Sequence, residues 1–332
     1  MITSDPPTPG VPPPPPSDPE TVVKETALAV GFSAVGITDV SPTPQSDRVF
    51  ERWVAEGKHG EMHYLARGAD KRHAPGILLE GARSVVCVGL DYYSRANDER
   101  NAEAPGEGRG VVAIYAHGPD YHVVLRAMLA ELDRRLKRIF PGMTSRIAVD
   151  TQPISERNLA IKSGIAWLGK NTCVISPDYG SWMFLGELLT DLSLRSDGPL
   201  ETLCGSCTAC MDACPTGALG EPYLMDANKC ISYLTIEKRG EIPRRFHKAV
   251  GANLFGCDAC QSACPFNTNA GESILFGAAK RSPIVELPVS RLIGISDGEF
   301  KALTRESAIS RCKAVGIRRN AAIVASNLSS RT

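Results

Sequence analysis

Eight cysteines between Cys204 and Cys264 carry the chemistry most directly readable in this chain. Cys204, Cys207, Cys210 and Cys214 stand as C-x2-C-x2-C-x3-C, and Pro215 follows the last of them. Cys230 comes next, alone. Cys257, Cys260 and Cys264 then stand as C-x2-C-x3-C, followed by Pro265. A C-x2-C-x2-C loop is short enough to set three thiolates around one iron–sulfur cube with its amides facing the sulfides. The proline ending each run has no N–H to donate and turns the chain away. Zinc knuckles would leave the two C-x3-C-P endings unexplained, and disulfides would need an oxidising compartment.

The spacing resembles that of a bacterial two-cluster ferredoxin, in which the fourth cysteine of a run ligates the other cluster. The second run is one close cysteine short, and Cys230 is the only donor nearby. One [4Fe–4S] cluster is therefore assigned to Cys204, Cys207, Cys210 and Cys264, the other to Cys214, Cys230, Cys257 and Cys260. Residues 231–256 become an insertion within the second half. Cys87 and Cys173 lie in apolar strand-like stretches and read as core; Cys312 also lies outside the block.

Other polar residues need the elements around them. Residues 21–31 read as a helix ended by Gly31, 32–40 as a short buried strand, and 47–57 as a helical piece. Residues 84–93 and 110–116 read as strands by their β-branched density, with a polar, glycine-rich loop between them. Tyr121, Val124, Leu125, Met128, Leu129, Leu132, Leu136 and Ile139 step by three and four, the signature of an amphipathic helix. Asp120 and His122 stand at its start, where Asp120 suits a cap. SRIAVD (145–150) reads as a strand ending in Asp150, ISERNLAIKSG as a helix closed by Gly164, and 171–176 and 181–190 as further strands. Strands and helices interleave, so residues 20–200 are expected to form one α/β domain. Residues 201–270 form the ferredoxin-like module, and 271–332 a helical C-terminal segment. Neither a G-x-G-x-x-G nor a G-x4-G-K-[ST] is placed to bind a dinucleotide or a nucleoside triphosphate.

Several islands, in order, resemble epoxyqueuosine reductases: KRHAP (71–75), YAHGPDYH (115–122), VDTQPISER (149–157), WLGKNT (167–172), YGSWMFLGELLTDL (179–192) and the cysteine block. The resemblance implies a cobalamin-binding α/β domain fed with electrons by the two clusters. It implies a tRNA substrate whose wobble base carries epoxyqueuosine, reduced to queuosine with two electrons and two protons. By its place in VDTQP, Asp150 matches the family's proton donor, a carboxylic acid kept protonated by burial; taken alone, a strand-end Asp could equally be a turn residue. Arg72, Arg157, Lys170 and Asn171 fall at polar family positions expected around the corrin or the substrate. A reductive dehalogenase also pairs cobalamin with two cubanes, but twin-arginine export signals are typical there and none is present. A bare electron carrier would have no use for the Asp150, GKN and DYH islands.

Composition bounds the partners. With 37 basic and 37 acidic residues the formal net charge is zero, so any nucleic-acid contact must come from local patches. Lys238, Arg239, Arg244, Arg245 and Lys248 make such a patch in the insertion and are expected to meet tRNA phosphates; Arg311, Lys313, Arg318 and Arg319 make a second. Longer family members continue past a helix like 318–328 into HEAT-like helix pairs. This chain stops inside the first such helix, so the expectation is that the insertion and the catalytic face carry more of the tRNA contact, or that the binding is weaker. The proline-dense residues 1–19 read as a disordered tail, not a signal peptide. No apolar run reaches the roughly 18 residues that span a bilayer. The expectation is a cytoplasmic monomer supplied by an external ferredoxin- or flavodoxin-type donor.

Overall fold

The computed structural model describes residues 18–268 and 270–330, without the side chains of residues 70 and 73. The expected disordered tail lies outside the described residues except for its last two. Asp18 caps the first helix and Pro19 begins it.

Four strands form one sheet: β1 (Ala34–Asp39), β2 (Ser84–Asp91), β3 (Ser145–Ala148) and β4 (Met183–Thr190), in the order β1-β2-β4-β3. Every pairing is antiparallel. The sequence alternates strands and helices as an α/β domain does, yet the sheet is not the parallel one that alternation usually builds. Side chains alternate between its faces. On one face, Val86, Val88 and Leu188 pack against helix α1 (Pro19–Val30) and helix α2 (Tyr121–Ile139), which contributes Leu125, Leu129, Leu132 and Leu136. On the other, Val85, Cys87, Ala148 and Leu189 pack against Leu159 and Ala160 of the short helix α3 (Glu156–Lys162). The two faces are what place Asp120 and His122, at the start of α2, beside the end of β3.

Two expectations fail for one reason. Residues 94–110 are not a loop: Arg95–Glu103 is helical, and its buried Arg100 donates to the Gly110 carbonyl at 3.0 Å while Asn101 bonds the Val112 backbone. Residues 110–116 are not a full strand: only Val111–Val112 pairs, in parallel with Asn253–Phe255, before a 3₁₀ turn at Ile114–Ala116. Tertiary partners override the local signal in both places.

The cysteine segment is clamped to the sheet domain through buried polar groups. Asn267 accepts from the Ser181 N–H at 2.7 Å and donates to the Ser181 hydroxyl and the Gln261 carbonyl. A Cβ at Gly180 would lie 2.0 Å from Asn267 Oδ1, so only glycine fits there. Residues of the insertion, among them Ile236, Leu254 and Phe255, share a core with Leu292, Ile309, Ile317 and Val324 of the C-terminal segment. Helix α4 (Ile231–Ile236) and the last helix, α5 (Lys313–Ser329), meet in that core. Among the described residues no helix is long and apolar enough to cross a membrane.

Candidate functional site

Asp150 sits two residues past β3 with φ +38°, a left-handed conformation that costs a non-glycine residue about 1 kcal/mol or more. The end of the sheet holds it there. Its backbone N–H donates to Glu156 Oε1 on the first turn of α3. Its carboxylate meets His122 Nε2 at 2.8 Å, and His122 Nδ1 meets Asp120 Oδ1 at 2.6 Å. Asp120 does cap α2, accepting from the His122 N–H at 3.0 Å, and so serves as cap and imidazole partner at once. The result is a line of carboxylate, imidazole and carboxylate at the surface end of α2.

The charges on that line differ from the expectation for Asp150. The hydrogen bond from His122 holds the Asp150 carboxyl below its ordinary range, and burial only partly opposes it. Burial would lower His122, but the two carboxylates outweigh it and raise its pKa to about 9. Near neutrality the proton therefore resides on the imidazole, and Asp150 is a carboxylate paired with it. Pairing wins over burial because Asp150 stays half-exposed, at 52%.

The charge on Asp150 reaches further groups. Arg72 donates to the Ile154 carbonyl at 3.2 Å, but its Nε is buried without a partner, and Asp150, Glu156 and Tyr64 all act on its charge. Across the opening, Arg311 lies 5.6 Å over the Tyr64 ring and pairs with both oxygens of Glu237. Sequence reasoning had placed Arg311 in a general basic patch. Its neighbours, Tyr64 and Glu237, carry no motif that would have found them.

The other sequence candidates sit closer to the cysteines. Lys170 Nζ donates to the carbonyls of Gly205 and Cys207 at 2.6 and 2.9 Å. Asn171 donates to the Cys260 carbonyl at 3.4 Å and accepts from the Cys173 N–H. Both therefore brace the two cysteine loops. Arg157 holds the Thr172 carbonyl at 2.7 Å, fixing the same loop from α3. Cys173 is half-buried, but it is not simple core: it lies near enough to Cys260 and Arg157 for both to act on its thiol.

Within the cysteine segment the thiols act on one another across both expected ligand sets. Cys264 feels Cys204 and Cys207, Cys257 feels Cys230 and Cys260, and Cys210 feels Cys260 ahead of Cys264 and Cys204. Cys230 feels Cys260 and Cys214. Cys214 is held down by the N–H groups of Thr216, Ala218 and Leu219, which outweigh its burial. Among the described residues no three Cys, His, Asp or Glu side chains converge on one ion. Eight thiols in one segment, two runs ending in C-x3-C-P with Cys230 between them, are a donor set that fits two clusters. Cys207 is exposed, whereas Cys264 is buried.

The basic insertion divides in two. Lys238 is paired with Glu61 at 2.7 Å, and Arg239 donates to the carbonyls of Ile236, Arg311 and Cys312. Those two tie the insertion to its surroundings. Arg244, Arg245 and Lys248 are exposed. In the C-terminal patch, Arg319 binds the carbonyls of Leu234, Lys238 and Gly240, while Arg318 binds the Ile295 carbonyl and the Asp297 carboxylate.

Comparison with known proteins adds two family matches. Residues 203–267 match the 4Fe-4S double cluster binding domain, and residues 72–151 match a family described as epoxyqueuosine reductase QueG, DUF1730. An epoxyqueuosine reductase of Gloeobacter violaceus is 41% identical over 306 residues, covering 90% of this chain and 93% of that protein. A crystal structure of an epoxyqueuosine reductase with a tRNA-Tyr epoxyqueuosine-modified stem loop superposes with a TM-score of 0.83 at 32% identity, covering 93% of this chain and 81% of the other. The enzyme from Bacillus subtilis, solved with its catalytic aspartate loop swung out of the active site, gives the same TM-score at 31% identity and the same coverage.

Proposed function

This chain belongs to the epoxyqueuosine reductase family, and from that premise we propose how its own residues reduce epoxyqueuosine in tRNA to queuosine, using two [4Fe–4S] clusters and cobalamin. The observation that carries the mechanism is the proton-bearing line Asp120–His122–Asp150, which ends in a half-exposed carboxylate beside the unpartnered Arg72 Nε. That buried orphan donor suits a ligand rich in amide acceptors, as a corrin is, so the residues present fit the cofactor. Bound there, cobalamin would supply the reducing electrons at the epoxide carbon.

The protein's part is proton delivery and electron entry. An epoxide oxygen leaving as alkoxide must be protonated as its C–O bond breaks, and a positioned acid does this without waiting for water. Asp150 faces the substrate and takes its proton from the His122 imidazolium behind it. Cys204, Cys207, Cys210 and Cys264 would hold one cluster, with Cys207 the exposed ligand, and Cys214, Cys230, Cys257 and Cys260 would hold the other; together they would supply electrons from an external donor. The Cys260 loop is held by Asn171 next to Arg157 and α3. Residues 20–200 act as the catalytic unit, 201–270 as the relay, and 271–332 as a helical support for the insertion. The deciding experiment is mass spectrometry of tRNA nucleosides after anaerobic incubation with cobalamin and a strong reductant. Queuosine should replace epoxyqueuosine; unchanged epoxyqueuosine with fully loaded protein would overturn the reading.

RNA binding falls to the free cations. Replacing Arg244 and Arg245 together by Ala should weaken tRNA binding and flatten its dependence on salt, by roughly 0.7–0.9 in log–log slope for each phosphate that the variant no longer neutralises. Lys238→Ala should leave the slope unchanged, because Glu61 already neutralises that ammonium. Binding titrations across salt concentrations separate the two; a slope that responds only to Lys238 would move the RNA surface.

A further inference from the structure

Removing an epoxide oxygen as water consumes two protons: epoxide, two electrons and two protons give an alkene and water. The first proton goes to the oxygen as one C–O bond opens; the second goes to the resulting hydroxyl as the other C–O bond breaks. The line through His122 holds one. The second must come from somewhere the site already contains.

Beneath Asp150 lies a second set of carboxyls that the mechanism above leaves unused. Glu156, on the first turn of α3, accepts the Asp150 backbone N–H. Glu187 lies in the middle of β4, opposite Cys87 of β2 and Ala148 of β3, on the sheet face covered by α3. It is 1% exposed, and its Oε2 has no hydrogen-bond partner. An isolated carboxylate would be very costly there, so Glu187 is held neutral: burial drives its pKa well above the ordinary range, and the charges of Glu156 and Asp150 add to it. We propose that Glu156, backed by the protonated Glu187 beneath it, is the second proton store of the site and reprotonates Asp150 within each turnover. Both protons then leave through Asp150, one drawn from His122 and one from Glu156, the latter passed directly or through one water. The electrons come from the same external donor as before. The inference rests on the proposed function.

The groups facing Glu156 come from every neighbouring element: Asp150 after β3, His122 and Tyr121 on α2, Arg157 on α3, Arg72 ahead of β2, and Glu187 on β4. Burial and the Asp150 charge raise its pKa to about 7, against the Asp150 N–H, His122 and Arg157. Glu156 is thus poised to give up a proton near neutrality and to regain one from solvent. A raised carboxyl also destabilises the fold once ionised. Its contribution falls as pH rises from the ordinary carboxylate range through about 7.

Glu156→Gln keeps the acceptor for the Asp150 N–H but carries no transferable proton. In the cluster- and cobalamin-loaded protein, turnover of an epoxyqueuosine-bearing stem loop at pH 6 should fall by about 10²-fold, the low end for general acid–base steps. The wild-type rate should decline through about pH 7, and that inflection should vanish in the variant and return with Glu156→Asp. Without substrate, pH-difference infrared spectra should lose one carboxylic acid titrating near 7, and the variant should melt at a higher temperature than wild type at pH 8. A Glu156 that is ionised and stabilising at pH 8 gives the opposite melting shift. Turnover near wild type with the inflection kept, or reduced turnover with the inflection kept, would overturn the inference. A wild type that makes no queuosine would overturn the proposed function instead.

Discussion

Anaerobic reconstitution of Cys230→Ala should return about half of the wild-type iron and sulfide, because one of two cubanes loses its fourth thiolate. The location of Cys230 makes the test clean. It stands at the N-terminal cap of α4, where burial raises its thiol and the nearby N–H groups of Tyr233 and Ser232 only partly oppose that. Its neighbours in charge are Cys260 and Cys214, two ligands of the set it would complete. No thiol of the first run can replace it, since three of those four serve the other cube and the fourth is Cys214. Cys173 is the one conceivable substitute, as it lies near enough to Cys260 for the two thiols to act on each other. Cys230→Ala should therefore be made with and without Cys173→Ser. Full iron in the single variant and half in the double would show Cys173 ligating; full iron in both would dismiss Cys230 as a ligand. Reduction of the substrate should fall to background in any variant that loses the second cube, because the two clusters together would supply the electrons.

Some of this architecture was written in residue spacing, and some could only be built in three dimensions. Helix α2 was legible because Leu125, Leu129, Leu132 and Leu136 all face one core, and that periodicity is local. The cysteine runs were legible because cluster ligation constrains chain spacing directly. The antiparallel sheet was not: β3 reaches β4 only after α3 and a short hairpin, Trp167–Leu168 with Val174–Ile175, and alternation of types says nothing of direction. Lys170 and Asn171 were recognisable as polar and not as braces, since their partners are backbone carbonyls 35 to 89 residues onward, invisible to side-chain type. Glu156 looked like an ordinary first-turn acid behind Ser155. Glu187 carried a signal that went unread. A lone carboxyl within the apolar run SWMFLGELLT seldom sits in a buried strand without a function.

Asp150→Asn should retain both clusters, still bind cobalamin and tRNA, and lose turnover by roughly 10²–10⁴-fold, the usual worth of a positioned general acid. Asn fits the same left-handed φ of +38° as readily as Asp, so the backbone need not move. It can still hydrogen-bond His122, but it cannot pass a proton from the imidazole to a leaving oxygen. The pH dependence distinguishes this from loss of a surface interaction. In the wild type the proton leaves the His122–Asp150 pair only as pH rises through about 9, because two carboxylates hold the imidazolium. The folded protein gains stability from that pair below the ordinary histidine range and loses it on the way to 9. Removing the Asp150 charge leaves His122 with Asp120 alone. The decline near pH 9, which lies above the one set by Glu156 near 7, should therefore move to lower pH in both the melting profile and the residual rate. Measuring single-turnover rates and melting temperatures from about pH 6 to 10 reads both at once. A variant turning over within a few-fold of wild type would make Asp150 a strand-end turn residue. A variant that is slow but keeps its upper limb near 9 would show that His122 never fed protons through Asp150, and the imidazolium would then be a fixed charge that only orients the carboxylate.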